Sequence, residues 1–275
     1  MKKRNKKLGK VIIHSIPNQG FIPDEIKEDQ FVLGALGGEV LQLDGQWEKE
    51  LPVLEIQKKG YLETSNCTAY GTTNALEILH KKKFGEETNH SDRYLGIRAG
   101  TRPPGNSPHT VSQAVRKGGL IPEEQLPFSD DLTEVEDYYS YKGSDQAKCE
   151  EEGQEWLRHW AFGHEWVLTG AETPAQKITL LKEGLKFSPI GLAVYAWAEK
   201  DGLYISIDRP NHWVCLYGYE EGKFWLIWDS YDSGIKKLAW DHAFGQAKRF
   251  SLDKKDPGSS LTWLQLIRQF FGKVV

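Results

Sequence analysis

The chain has 275 residues, 39% of them hydrophobic, which suffices for one substantial core or two lobes sharing a cleft and argues against a disordered chain. With 35 basic and 39 acidic residues the formal net charge is −4, so the balance calls for no nucleic-acid partner. Three widely spaced cysteines fit neither a disulfide framework nor a zinc site, and they point to a reducing compartment such as the cytoplasm.

The basic start, Lys2-Lys3-Arg4 with Lys6-Lys7, reads as a solvated tail. Val11-Ile12-Ile13 is too short for the apolar region of a signal peptide, and no apolar run is long enough to predict a membrane span, so a soluble chain is expected. Phe31-Val32-Leu33-Gly34 and Glu39-Val40-Leu41-Gln42-Leu43 are predicted as short strands around glycines. Residues 1–50 thus form an extension, a basic tail with short strands, read as a docking arm or an extra sheet.

Thr64, Ser65 and Asn66 favour a helix cap, and Ala69, Thr72, Leu76 and Leu79 recur at helical spacing, so a helix is predicted to begin within a residue or two of Cys67. The unpaired N–H groups of a first turn favour a thiolate, which marks Cys67 as a candidate nucleophile. Residues 129–170 are acidic and aromatic; Tyr138, Tyr139, Tyr141, Trp156, Trp160 and Trp166 read as core, as do His159 and His164, and Glu155 to Phe162 looks amphipathic. Cys149 lies among carboxylates that raise its pKa, which argues against it as nucleophile. A helix is predicted over Pro174 to Leu185, with Ile178, Leu181 and Leu185 on one face.

Asn211-His212-Trp213-Val214-Cys215 opens a buried strand in which Cys215 is core, and the next strand, Lys223 to Trp228, runs into Asp229. A His at the start of one strand and an Asp at the end of its neighbour would lie side by side, which suits a base and its orienter. Asp253 to Ser260 is a linker by composition, and Leu261, Leu264, Ile267, Phe271 and Val274 make an apolar helix face that must be buried on something.

These segments resemble the papain-like cysteine peptidases, in which the nucleophile opens the central helix of one lobe and the His and its orienter sit on adjacent strands of the other. Further matches lie in Ser91-Asp92-Arg93-Tyr94, Val111 to Phe128, Ser188-Pro189-Ile190-Gly191-Leu192-Ala193-Val194, Gly202-Leu203-Tyr204, Asn211-His212-Trp213-Val214 and Asp229-Ser230-Tyr231, the last standing where Asn-Ser-Trp is usual. The resemblance implies an α+β fold with a central-helix lobe, an antiparallel-sheet lobe and an active-site cleft between them. It divides the chain into the extension, a peptidase domain over residues 51–252, and a linker with docking helix over 253–275.

It also implies thiol-dependent hydrolysis of peptide or isopeptide bonds: Cys67 attacks, His212 carries the proton and Asp229 orients His212, with no metal or organic cofactor. The family's oxyanion-hole Gln lies six residues before the nucleophile, where this chain has Tyr61. Gln57 across a longer loop, or the Cys67 backbone N–H, would replace it, and an ionised Glu63 would oppose the developing charge. By analogy Ile190 and Trp213 line the pocket for the substrate's second residue before the cut, with Trp213 narrowing it. The extension lacks the long helical run of papain-like prosegments, which speaks against autoinhibition.

The partners implied are a polypeptide substrate and a protein, or a second copy, docked on 261–275. The resemblance is compatible with viral or phage-encoded members. Two alternatives carry weight: an inert papain-fold module of a larger assembly such as a virion, suggested by the absent Gln and the terminal extensions, and a transglutaminase-like acyl transferase, which uses Cys, His and Asp in the same order.

Overall fold

Cys67 opens the helix on which the other elements pack, α1 (Cys67–Phe84). The computed structural model describes residues 10–14, 20–27, 30, 32, 34–232 and 234–255. Before α1 come four two-residue strands, β1 (Ile12–Ile13), β2 (Gly20–Phe21), β3 (Lys58–Lys59) and β4 (Leu62–Glu63). After it follow α2 (Asp92–Arg98), β5 (Gly105–Asn106), α3 (Pro108–Gly118), α4 (Val135–Tyr138), α5 (Gln146–His159), β6 (Trp160–Leu168) and α6 (Pro174–Leu185). The chain then runs through β7 (Ile190–Val194), β8 (Ala198–Lys200), β9 (Leu203–Ile205), β10 (His212–Glu220), β11 (Phe224–Trp228), β12 (Ile235–Ala239) and β13 (Ala247–Lys254).

Local chemistry sets the helix ends. Ser107 accepts the N–H of Thr110 at the head of α3, with Pro108 in the first turn, and Asp145 accepts the N–H of Lys148 at the head of α5. Thr173 and Gln176 form a reciprocal capping box on α6, and α1 stops at Gly85, whose φ of 75° suits a residue without Cβ.

Nine strands form one sheet in the order β1-β8-β9-β12-β11-β10-β7-β13-β6, antiparallel throughout except where β9 meets β12. Residues 67–80 of α1 are all buried, and Ala75, Leu76, Ile78 and Leu79 join Leu192, Val214, Leu216 and Phe250 of the sheet in the main core. The helix lies close to β10 because Gly71 has no side chain: a Cβ there would stand 2.6 Å from Trp213 Cδ1. A smaller core of Leu62, Phe128, Leu132, Tyr138 and Tyr139 holds the β3–β4 hairpin against α4. The fold is α+β, with six helices among the described residues and a large, mainly antiparallel sheet.

Four local expectations change. Residues 39–43 form no strand, because the N–H groups of Leu41 and Gln42 both donate to the Lys186 carbonyl, at 2.9 and 3.0 Å, behind α6. Val32 makes only an isolated bridge to Trp166. The amphipathic stretch from Glu155 divides at His159, where α5 ends and Trp160 turns into β6. The final strand continues to Lys254, into the stretch read as a linker. The basic start (residues 1–9) and the docking helix (261–275) lie outside the described residues. No described helix is long and apolar enough to cross a membrane.

Candidate active site

Cys67 stands at the first position of α1, but none of the three polar residues before it caps the helix through its side chain in the expected way. Asn66 is fully buried and turns away from the first turn of α1, donating from Nδ2 to the Asp92 carbonyl at 2.8 Å and to Tyr138 Oη at 3.0 Å. Thr64 Oγ1 donates to the Gln57 carbonyl, and Ser65, at φ 56°, donates its N–H to Glu63 Oε1. Cys67 is fully buried, in a cluster with Phe21, Ala193 and Trp213.

That burial pushes the Cys67 thiol well above the ordinary range for cysteine. The backbone N–H of Trp213 opposes the shift, the charges of Glu63 and Asp229 add to it, and the N–H of Thr68 opposes it again. The low pKa expected of a helix-start cysteine is therefore absent in this conformation. Helix-terminal N–H groups favour a thiolate, but the loss of water around the sulfur outweighs them. Cys149 and Cys215 are also buried, and burial raises both thiols.

His212 begins β10, and its ring Nε2 lies 2.6 Å from Asp229 Oδ1. Register explains the meeting: β10 and β11 pair antiparallel with Cys215 opposite Trp228, so the start of one strand faces the end of the other. His212 and Asp229 are both fully buried, and His212 Nδ1 has no hydrogen-bond partner among the described residues. The second Asp229 oxygen, Oδ2, accepts from Lys236 Nζ at 2.7 Å. Burial pushes the Asp229 carboxyl upward, but the charges and hydrogen bonds of His212 and Lys236 outweigh it and hold the group below its usual range.

Gln57 is buried in the same region, its Oε1 receiving Ser230 Oγ at 2.6 Å. Its backbone N–H donates to the Ser230 carbonyl and its own carbonyl accepts from Thr64, so it is fixed to both sides of the site. The β3–β4 hairpin lies between Gln57 and Cys67 and accounts for the longer spacing. The amide nitrogen of Gln57 donates to Glu63 Oε1 at 2.8 Å and to Tyr231 Oη at 3.0 Å. Tyr231 in turn donates to Glu63 Oε2 at 2.5 Å.

Part of the N-terminal extension, read from the sequence as a docking arm or an extra sheet without an autoinhibitory role, packs over Cys67. Phe21 stacks on Trp213, and Gly20 passes so close to Ser65 that a Cβ would lie 2.0 Å from the Ser65 carbonyl oxygen. β2 pairs parallel with β5, Ile22 donates to the Asn106 carbonyl, and Asp24 exchanges backbone hydrogen bonds with the Gln246 side chain while accepting the N–H of His109. Of the two residues assigned to a substrate pocket, Trp213 lies beside Cys67, but Ile190 does not. Ile190 packs on Gly184 of α6, whose Cβ would stand 2.9 Å from Ile190 Cδ1. Strand alternation puts Ala193 on the Trp213 face instead.

Phe21 and Lys236 were not singled out from the sequence; Ser230 and Ala193 entered only within motif matches, and Glu63 only as a charge opposing the oxyanion. Lys236 had a usable signal: in Ile235-Lys236-Lys237-Leu238 it shares the inward face of a strand with Leu238, near the end of the strand that carries Asp229.

No protein-family model matches this sequence, and no curated protein matches it. Solved structures do match. The Amb a 11 cysteine protease of ragweed pollen, in its proform, superposes with a TM-score of 0.50 at 17% identity, over 76% of this chain and 65% of that one. Digestive procathepsin L 3 of the Tenebrio molitor larval midgut gives 0.51 at 15% identity, over 84% of this chain and 75% of that one. This chain therefore spans about two thirds of the ragweed protease's length. The likeness establishes a papain-like fold.

Proposed function

We propose that the chain is a cysteine peptidase that hydrolyses peptide or isopeptide bonds, with Cys67, His212 and Asp229 as its catalytic set. One observation carries this reading: His212 is held at Nε2 by Asp229 while Nδ1 has no partner among the described residues, and the next residue, Trp213, turns its backbone N–H toward the Cys67 sulfur. The Cys67 proton passes to His212 Nδ1, and the sulfur attacks the carbonyl carbon to give a tetrahedral intermediate. In this reading the Cys67 backbone N–H is the oxyanion donor, joined by the Gln57 amide once Glu63 and Tyr231 release it, a contribution worth roughly 3 kcal/mol for one such donor. His212 then protonates the leaving amine, and water releases the acyl group from the sulfur.

Gln57 departs from an open oxyanion donor, because Glu63 holds its amide, and Phe21 covers the thiol. These two contacts favour a second reading, an inert module, unless the extension moves. The deciding experiment is hydrolysis of a fluorogenic peptide library by the full chain and by a chain with residues 10–27 cut away, each beside its Cys67→Ala counterpart. Activity that Cys67→Ala abolishes supports the peptidase, and none in either chain favours the inert module.

A further inference from the structure

Asp229 is bonded on both sides. Oδ1 faces His212 at 2.6 Å, and Oδ2 faces the Lys236 ammonium at 2.7 Å. Lys236 also donates to the Tyr231 carbonyl at 3.0 Å and lies over the rings of Trp197 and Tyr204, 5.2 and 5.8 Å from their centroids. Its side chain is only 2% exposed. An ammonium stays out of water only where an opposite charge and hydrogen bonds repay its desolvation, and Asp229 supplies that charge.

We infer that Lys236 is a positioning residue that cancels the charge of Asp229, so that His212 is oriented by a carboxylate yet faces a pair with no net charge. The inference rests on the proposed role of His212 as the base for Cys67. An uncompensated carboxylate would strengthen the hold of His212 on its proton and slow its transfer to a leaving amine. It would also repel the thiolate, an effect already present in the Asp229 contribution at Cys67. With Lys236 in place, the carboxylate keeps its directional hydrogen bond to the ring while the adjacent ammonium opposes its charge.

The remaining groups near this chain of contacts are few. The rings of Tyr231 and Trp197 flank His212 at 5.2 and 5.4 Å, Glu63 acts on Cys67, and Asp232 lies 4.0 Å from Lys236 but is largely exposed. No other carboxylate within salt-bridge distance of Lys236 is buried among the described residues.

The test is the ring titration of His212, followed by NMR in the full chain and assigned by its loss in His212→Gln. Lys236→Met should move the midpoint up by about one unit or more, the effect of a neighbouring unpaired carboxylate, and Asp229→Asn should move it down by a similar amount. The double variant Asp229→Asn/Lys236→Met should return close to the parent. A lysine that served packing alone would not give opposite signs and mutual cancellation. An unchanged midpoint in Lys236→Met overturns the inference. If that variant does not fold, Asp229→Asn is compared with the double variant: a rise of about a unit between them supports the pairing, and equal midpoints overturn it. The titration needs no substrate, so it stays readable if no hydrolysis is found; the alkylation rate of Cys67 and the peptide library test the peptidase reading separately.

Discussion

The ring of Phe21 lies nearly parallel to that of Trp213, with centroids 5.8 Å apart and planes 14° apart, and Cys67 shares their buried cluster. Within that cluster Cys67 has no exposed surface. Phe21 thus ties the extension to the cluster that buries Cys67.

Phe21→Ala should therefore admit water to Cys67 and lower the thiol pKa toward the range of an exposed helix-start cysteine. Each unit of decrease multiplies the thiolate fraction about tenfold while the thiolate is the minor form. Alkylation of Cys67 by iodoacetamide at pH 7.5, mapped by mass spectrometry, should be slow in the parent and at least about tenfold faster in the variant. Equal rates would show that Phe21 does not control access.

Glu63 adds a separate restraint, because its carboxylate holds the Gln57 amide and its charge raises the Cys67 thiol. In a chain already carrying Phe21→Ala, Glu63→Gln should accelerate alkylation further and shift its pH profile to lower pH. Gln57→Ala should leave alkylation nearly unchanged and lower kcat for peptide hydrolysis by about 100-fold or more, the usual cost of losing an oxyanion donor. A Gln57→Ala variant with unchanged kcat would remove Gln57 from the oxyanion site.

How much of this was legible in the sequence depends on the range of the interaction. The α1 start at Cys67 and the His212–Asp229 meeting follow from local patterns, a cap-like run and two apolar strands joined by a short turn. Gln57 was readable as a residue type, although its attachment to Ser230 depends on a hairpin excursion that no periodicity encodes. The placement of Phe21 was not readable, because a two-residue strand carries no period and its pairing with β5 spans most of a lobe in sequence. The inward direction of Ile190 was missed for a different reason. In a strand buried on both faces, alternation of residue type disappears, and only the register with Trp213 shows that Ala193 faces Cys67.

Gly71 lets α1 lie close against β10, the strand that carries His212. A methyl group there would stand 2.6 Å from Trp213 Cδ1 and 3.2 Å from the Val214 carbonyl carbon, so either α1 or the Trp213 ring must shift. Gly71→Ala should destabilise the protein by about 1–3 kcal/mol, the usual cost of overpacking. Thermal unfolding should show a decrease of about 2–4 °C per kcal/mol for a chain of this size. An unchanged Tm would mean that the two elements are less tightly apposed.

Glu123 connects the helical side of the fold to pH. Its Oε1 accepts the N–H of Phe128 at 2.9 Å. Burial, followed by the charge of Glu55, pushes its carboxyl from an ordinary value of 4.5 up to about 8, while the Phe128 N–H, Ser91 and Lys59 oppose the shift. In the unfolded chain the same group releases its proton near 4.5, so between about 4.5 and about 8 the folded chain binds more protons. The stability it contributes is thus fully present below 4.5 and is lost as pH rises through 8. Glu123→Gln keeps an oxygen for the Phe128 N–H and removes the titration. Its Tm should match the parent near pH 4 and exceed it near pH 8.5, by about 2–4 °C for each kcal/mol recovered. Glu77 and Asp92, also pushed upward by burial, leave part of the pH dependence in place, so the slope should be reduced and not abolished. A variant whose Tm falls with pH as steeply as the parent's would show that Glu123 is already ionised in the folded chain.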